Sequence, residues 1–210
     1  LARFHGTFDL VAAEAVAGQE VLSVLPELFE RGLVTRHGPD AHRLIRPVAS
    51  FALRYADRMS EAAHLAWCHD WAVTALTSPR SALPQPIEQE LAASIARGCG
   101  DVWMAAALGR AWVRTVPSAR VVELLEPLAA LAEPDRAGVV LHMILVRAYH
   151  NLLKTTDADR SMATAQALAV ASGDHQLQFE ALFERLRWRM DRDPPTEAEL
   201  QQAWEMCDGD

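Results

Sequence analysis

Apolar residues recur along most of this chain with the three-to-four-residue spacing of helices that bury one face. In "FDLVAAEAV", Asp9 is placed to cap an alanine-rich helix that ends near Gly18. "EVLSVLPELFERG" follows, with Val21, Leu25, Leu28 and Phe29 on one face and Gly32 at the stop. Pro26 lies inside that stretch and removes one helical hydrogen bond. The period then shortens: "LVTR" and "HRLIR" read as strands joined by "HGPDA", whose Gly38 and Pro39 form turns readily. Pro47 suits the first turn of a further helix with Val48, Phe51, Ala52 and Tyr55 as its apolar stripe, expected to pack beneath the hairpin. Helices followed by a β-hairpin is the winged-helix order.

Beyond residue 58 the pattern is helical throughout. Breakers at "SPRSALPQP", "GCGD", "VPS", "AEPD", "TTDAD", "ASGD" and "RDPPT" predict about eight helices. Asp101 and Asp135 each open a predicted helix and lie 34 residues apart, the period of tetratricopeptide (TPR) units. "ALGRAW" puts Leu108, Gly109 and Trp112 at the packing positions of such a unit, with Leu125 in its second helix, whereas "GVVLHMILVRAYHNLL" loses the small glycine. The expectation is a mainly α chain: a winged helix over residues 1–58, then a degenerate TPR-like superhelix of helical hairpins over 59–210.

Charge divides at the same place. Residues 1–58 hold seven arginines and seven acids, so the remainder holds thirteen basic and twenty-one acidic residues and the whole net charge of −8. An acidic surface repels a phosphate backbone, which makes the later region a poor nucleic-acid binder. The apolar run "GVVLHMILV" is too short to cross a membrane and no signal-peptide pattern opens the chain. Three cysteines, Cys68, Cys99 and Cys207, fit free thiols in a reducing cytoplasm better than a disulfide framework. The chain starts at Leu1 on what reads as the end of an apolar helix, so a piece of a longer polypeptide is expected.

The stretch "LARFHGTFDLVAAEAVAG", continued by "VLSVLPELFERGLVTRHG" and "HRLIRPVASFALRYA", resembles the segment after the nucleotide-binding domain in signal-transduction ATPases with numerous domains (STAND), closest to bacterial regulators of the antibiotic-regulatory-protein and LuxR-like type. "HLAWCHDWAVTAL" and "ELAASIARGCGDVWMAAALGRAW" look like the first helices of the TPR-like superhelix in those families. The resemblance implies a winged helix that docks on the nucleotide-binding domain of the same polypeptide. It also implies helical repeats that take a protein or small-molecule signal, with any ATP or ADP held by the upstream domain. No GxxxxGK[ST] loop is present, so this chain supplies no phosphate-binding loop of its own and no cofactor is expected in it. Related proteins often carry Met-His-Asp after the wing; here the aligned residues are Leu44, Ile45 and Arg46, without the histidine.

Arg36, His37, Arg43 and Arg46 make the hairpin basic and are the candidate interaction residues. The helix before it carries Glu20, Glu27 and Glu30 against Arg31, which sets it against the major groove. Elsewhere, His64 and Cys68 stand at i and i+4 beside His69, and His142 and His150 lie eight apart; neither set supplies the three or four ligands of a zinc site. The six tryptophans, Trp67, Trp71, Trp103, Trp112, Trp188 and Trp204, are expected at helix interfaces. Arg185, Arg189 and Arg192 share a helix face, where pairing with Glu184 and Asp191 is expected. The function these readings imply is a non-catalytic regulatory and interaction region of a STAND-type regulator. The alternative is a DNA-binding winged-helix factor with a helical ligand-binding or dimerisation domain.

Overall fold

The structure, a computed structural model, describes residues 1–54, 58–78, 82–190 and 194–207. Among them the chain is mainly helical, with eleven helices and two short strands. It divides into two compact units, Leu1–Met104 and Ala105–Asp210.

In the first unit α1 (Leu10–Ala17) starts where the Asp9 carboxylate accepts the Ala12 N–H at 2.7 Å, and it buries Ala12, Ala13 and Val16. Helix α2 (Val21–Glu30) runs through Pro26 and buries Val21 and Leu25, with Leu28 and Phe29 half-buried beside them. Gly32, at φ 67°, makes the left-handed turn out of α2 that a side chain would resist. Strands β1 (Val34–Arg36) and β2 (His42–Leu44) pair antiparallel with Thr35 opposite Arg43 and Arg36 opposite His42. On its other edge His42 exchanges both backbone hydrogen bonds with Phe8, each 2.8 Å, tying the chain start to the hairpin.

Helix α3 (Arg46–Ala52) departs from the expected apolar stripe. It buries no residue, and Phe51 is 60% exposed; Tyr55 lies outside the described residues. Seven residues are too few to aim a full apolar face, and the core beneath the hairpin is already filled by Phe4, Phe8, Val16, Leu25 and Val34. Helix α4 (Arg58–Thr77) packs on α1 and α5 (Gln85–Ala96) packs on α4. Phe4 lies at the centre of this unit, stacked on Phe8 with centroids 5.1 Å apart and edge-on to His64 and Trp67, each at 5.4 Å.

Helix α6 (Val102–Trp112) begins where Asp101 accepts the Met104 N–H at 2.8 Å, and its later residues belong to the second unit. There α7 (Ser118–Ala129), α8 (Arg136–Asn151), α9 (Thr155–Ser172) and α10 (His175–Arg189) pack in sequence order, α10 also reaches α8, and α11 (Glu197–Cys207) lies on α10. Asp135 and Asp174 cap α8 and α10 through the Gly138 and Leu177 N–H groups. Thr196 and Glu199 cap α11 reciprocally, each side chain accepting the other's backbone N–H. A Cβ on Gly109 would stand 2.8 Å from Leu125 Cδ1 and 3.0 Å from Ile144 Cγ2, so glycine is what lets α6 approach α7 and α8. One break is displaced: "TTDAD" forms the first turn of α9, and the chain turns earlier, at Leu153, with φ 58°. No helix among the described residues is long and apolar enough to cross a membrane.

Candidate functional site: the hairpin face and the polar clusters

The β pairing decides how the hairpin's charges are arrayed. Side chains alternate between faces along a strand, so Val34, Arg36, His42 and Leu44 point to one side and Thr35 and Arg43 to the other. Arg36 lies over the Phe29 ring with its guanidinium carbon 5.5 Å from the centroid. His37 contacts the Thr35 hydroxyl at 3.3 Å, and Arg46 is exposed at the start of α3. None of Arg36, Arg43 and Arg46 pairs with a carboxylate among the described residues. The four residues therefore do not form one patch; Arg36 and Arg43 face opposite ways.

The Arg36 side opens on an apolar groove of about 640 Å³ lined by Leu10, Leu22, Leu25, Pro26, Phe29 and His42. Leu10, Val11, Leu22 and Val24 are exposed large apolar residues of the same two helices. His42 is buried edge-on against Phe29 and Phe8, and its Nδ1 has no hydrogen-bond partner. The acids of α2 stay in solvent, and Arg31, its one cation near the end, is held by Glu27 at 2.5 Å.

Inside the same unit, a polar node joins three segments. Glu90 of α5 is fully buried; one oxygen accepts the Gly6 N–H at 2.6 Å and the other meets His64 Nε2 at 3.2 Å. Cys68 Sγ is 4.0 Å from the same His64 nitrogen. Burial, then the Glu90 charge, push the Cys68 thiol up to about 12, so it stays protonated and is no nucleophile at neutral pH. His69 turns away to Asp101 at 2.7 Å. The node's fixed hydrogen bonds tie the chain start to α4 and α5. No group of three His, Cys, Asp or Glu residues among those described is arranged to hold a metal ion.

The second unit separates His142 from His150. Eight residues along a helix is about 12 Å, and His142 is buried with both ring nitrogens unpartnered whereas His150 is exposed and meets Trp188 edge-on at 4.7 Å. Burial lowers the His142 pKa, opposed in part by the nearby Ala129 carbonyl. The two described arginines of the expected trio, Arg185 and Arg189 of α10, pair elsewhere than with their sequence neighbours. Arg185 and Arg189 both grip Glu199 of α11, at 2.9 and 2.7 Å, while Glu184 takes Arg147 of α8 in a two-point contact of 2.5 and 2.7 Å. Arg192 and Asp191 lie outside the described residues. Five of the six tryptophans are half-buried, and Trp204 is 65% exposed.

A second concavity, missed by sequence reasoning, lies between α8 and α10 next to the end of α6. It measures about 320 Å³ and is lined by Val113, Arg114, Val146, Arg147, His150, Asn151, Glu184, Arg187 and Trp188. Its residues come from three separate stretches, and only the fold brings Arg114, Arg147 and Arg187 together. The helical phase of Arg147 and His150, one turn apart, was the available signal.

Compared with known proteins, the chain matches no protein-family model, no curated protein and no solved structure.

Proposed function

We propose that the chain is a non-catalytic regulatory and protein-interaction region of a STAND-type transcriptional regulator, working in the cytoplasm. In this reading α1, α2 and the hairpin form a winged-helix module that docks on the nucleotide-binding domain of the same polypeptide, and the later helices are TPR-like hairpins that take a protein or small-molecule signal. The observation that carries it is the open apolar groove of α1 and α2, lined by the exposed Leu10 and Leu22 together with Leu25, Pro26 and Phe29. Contiguous exposed apolar surface is the mark of a protein contact. The Phe8 bridge to β2 and the order α1, α2, β1, β2 support the winged-helix assignment.

The unpaired hairpin arginines favour one second reading, a DNA-binding winged-helix factor with a helical ligand-binding or dimerisation domain. Against it, α2 would present Glu20, Glu27 and Glu30 to a phosphate-lined groove, with Arg31 already held by Glu27. Titration of the chain with duplex DNA at low salt, repeated at rising salt, separates the two. Docking predicts weak binding without sequence preference. Saturable binding that discriminates between duplex sequences would overturn the docking role.

A further inference from the structure

The cleft between α8 and α10 carries a charge opposite to that of the chain around it. Three arginines, Arg114, Arg147 and Arg187, face it against one carboxylate, Glu184, in a protein of net charge −8. Glu184 is buried and its two oxygens are taken by Arg147 Nε and Nη2, so this pair forms a neutralised floor. Arg114 and Arg187 are exposed at the rim and neither pairs with a carboxylate among the described residues. Two unpaired guanidiniums converging on one concavity set up a strong field for an anion, because their planar forks match the oxygens of phosphate or carboxylate.

The remaining walls say what else the ligand carries. Trp188 and His150 supply a ring wall and Val113 and Val146 an apolar one. Asn151 gives its amide N–H to Ser118 Oγ at 3.1 Å, which leaves its carbonyl oxygen as a fixed acceptor. A volume of about 320 Å³ is at the small end of ligand sites. A partner helix, about 10 Å across with its side chains, does not enter such a space.

We propose that this cleft is a binding site for a small phosphorylated metabolite, with the phosphoryl group between Arg114 and Arg187 and a planar or apolar portion against Trp188, Val113 and Val146. The site gives a ligand class to the sensing half of the proposed function, and it rests on that half alone, not on docking by the first unit. The shared chemistry is a phosphoryl anion, free or as a monoester.

Calorimetric titration of the whole chain with inorganic phosphate, adenosine monophosphate and adenosine tests it. Phosphate and the nucleotide are expected to bind at one site and adenosine to leave no signal. Equal affinities identify the anion alone as the ligand, and tighter nucleotide binding identifies a monoester. Both rim variants, Arg114→Ala and Arg187→Ala, are exposed and should fold normally, and each should weaken binding about tenfold or more, with a further loss as salt rises. Absence of saturation by about 10 mM, tenfold above a ~1 mM affinity, would overturn the proposal. So would binding that persists in the double variant. Neither result touches the docking reading, which is decided by the DNA titration.

Discussion

At the scale of single residues, the first unit depends on a small number of buried polar atoms. Glu90 is held at 0% exposure, and a carboxylate so placed is tolerated only with its oxygens satisfied, here by Gly6 N–H and His64. Removing one partner of such a group costs about 3 to 5 kcal/mol, more than burying a leucine gains. Cys68, beside it, gives the pH dependence. Its folded pKa of about 12 lies above the usual 9.0, so the folded state keeps the proton while the unfolded thiol gives it up. Its contribution is intact below pH 9 and is lost as pH rises toward 12, at about 1.4 kcal/mol per unit. Cys68→Ala should therefore flatten the alkaline fall of stability measured by urea unfolding between pH 9 and 10.5, relative to the parent chain. Identical slopes in the two proteins would mean that the thiol is not sealed in the fold.

At the scale of elements, the signals that were legible in the sequence were local ones. Asp9, Asp101 and Asp135 each accept the expected N–H at a helix start, and Gly109 stands where α6 must come close to its neighbours, because caps and close approaches depend on residue type and spacing alone. What could not be read depended on partners distant in sequence. The face chosen by α3 was set by a core already complete without Phe51, and the pairing of Glu184 with Arg147, 37 residues away, displaced the expected local pair. The hairpin's basic residues were visible, but only the register shows Arg36 and Arg43 on opposite faces. The place of the break between α8 and α9, a few residues before the expected "TTDAD", was hidden for another reason. It uses Leu153 in the left-handed region, where a side chain costs about 1 to 2 kcal/mol, and no glycine marks the turn. Leu153 is 85% exposed and has little packing to lose. Leu153→Gly is expected to raise stability by about 0.5 to 1 kcal/mol once the greater entropy of unfolded glycine is deducted. A chain destabilised by that change would place the turn elsewhere.

At the scale of the whole molecule, the two units carry different kinds of surface. The first exposes an apolar groove beside unpaired hairpin cations, and the second collects arginines in a cleft of an otherwise acidic region. Apolar surface suits a protein that stays in contact, and a charged cleft suits a small ligand that comes and goes. If the first unit docks on a nucleotide-binding domain, the two hairpin faces make different predictions for which cation matters. A dock over the groove is weakened by Arg36→Ala or Leu22→Asp, and one over the outer face by Arg43→Ala. The groove lies on the Arg36 side, so the first pair is expected to act. In the polypeptide that carries the nucleotide-binding domain, each variant of that pair should raise signal-independent activity. A lost interfacial contact of about 1.4 kcal/mol converts into a tenfold larger open population. Arg43→Ala should leave basal activity unchanged, and the melting temperature of the chain alone reports whether any variant merely unfolds. The opposite ranking would move the contact to the outer face of the hairpin. Unaltered basal activity and nucleotide retention in all three would take the hairpin out of the switch.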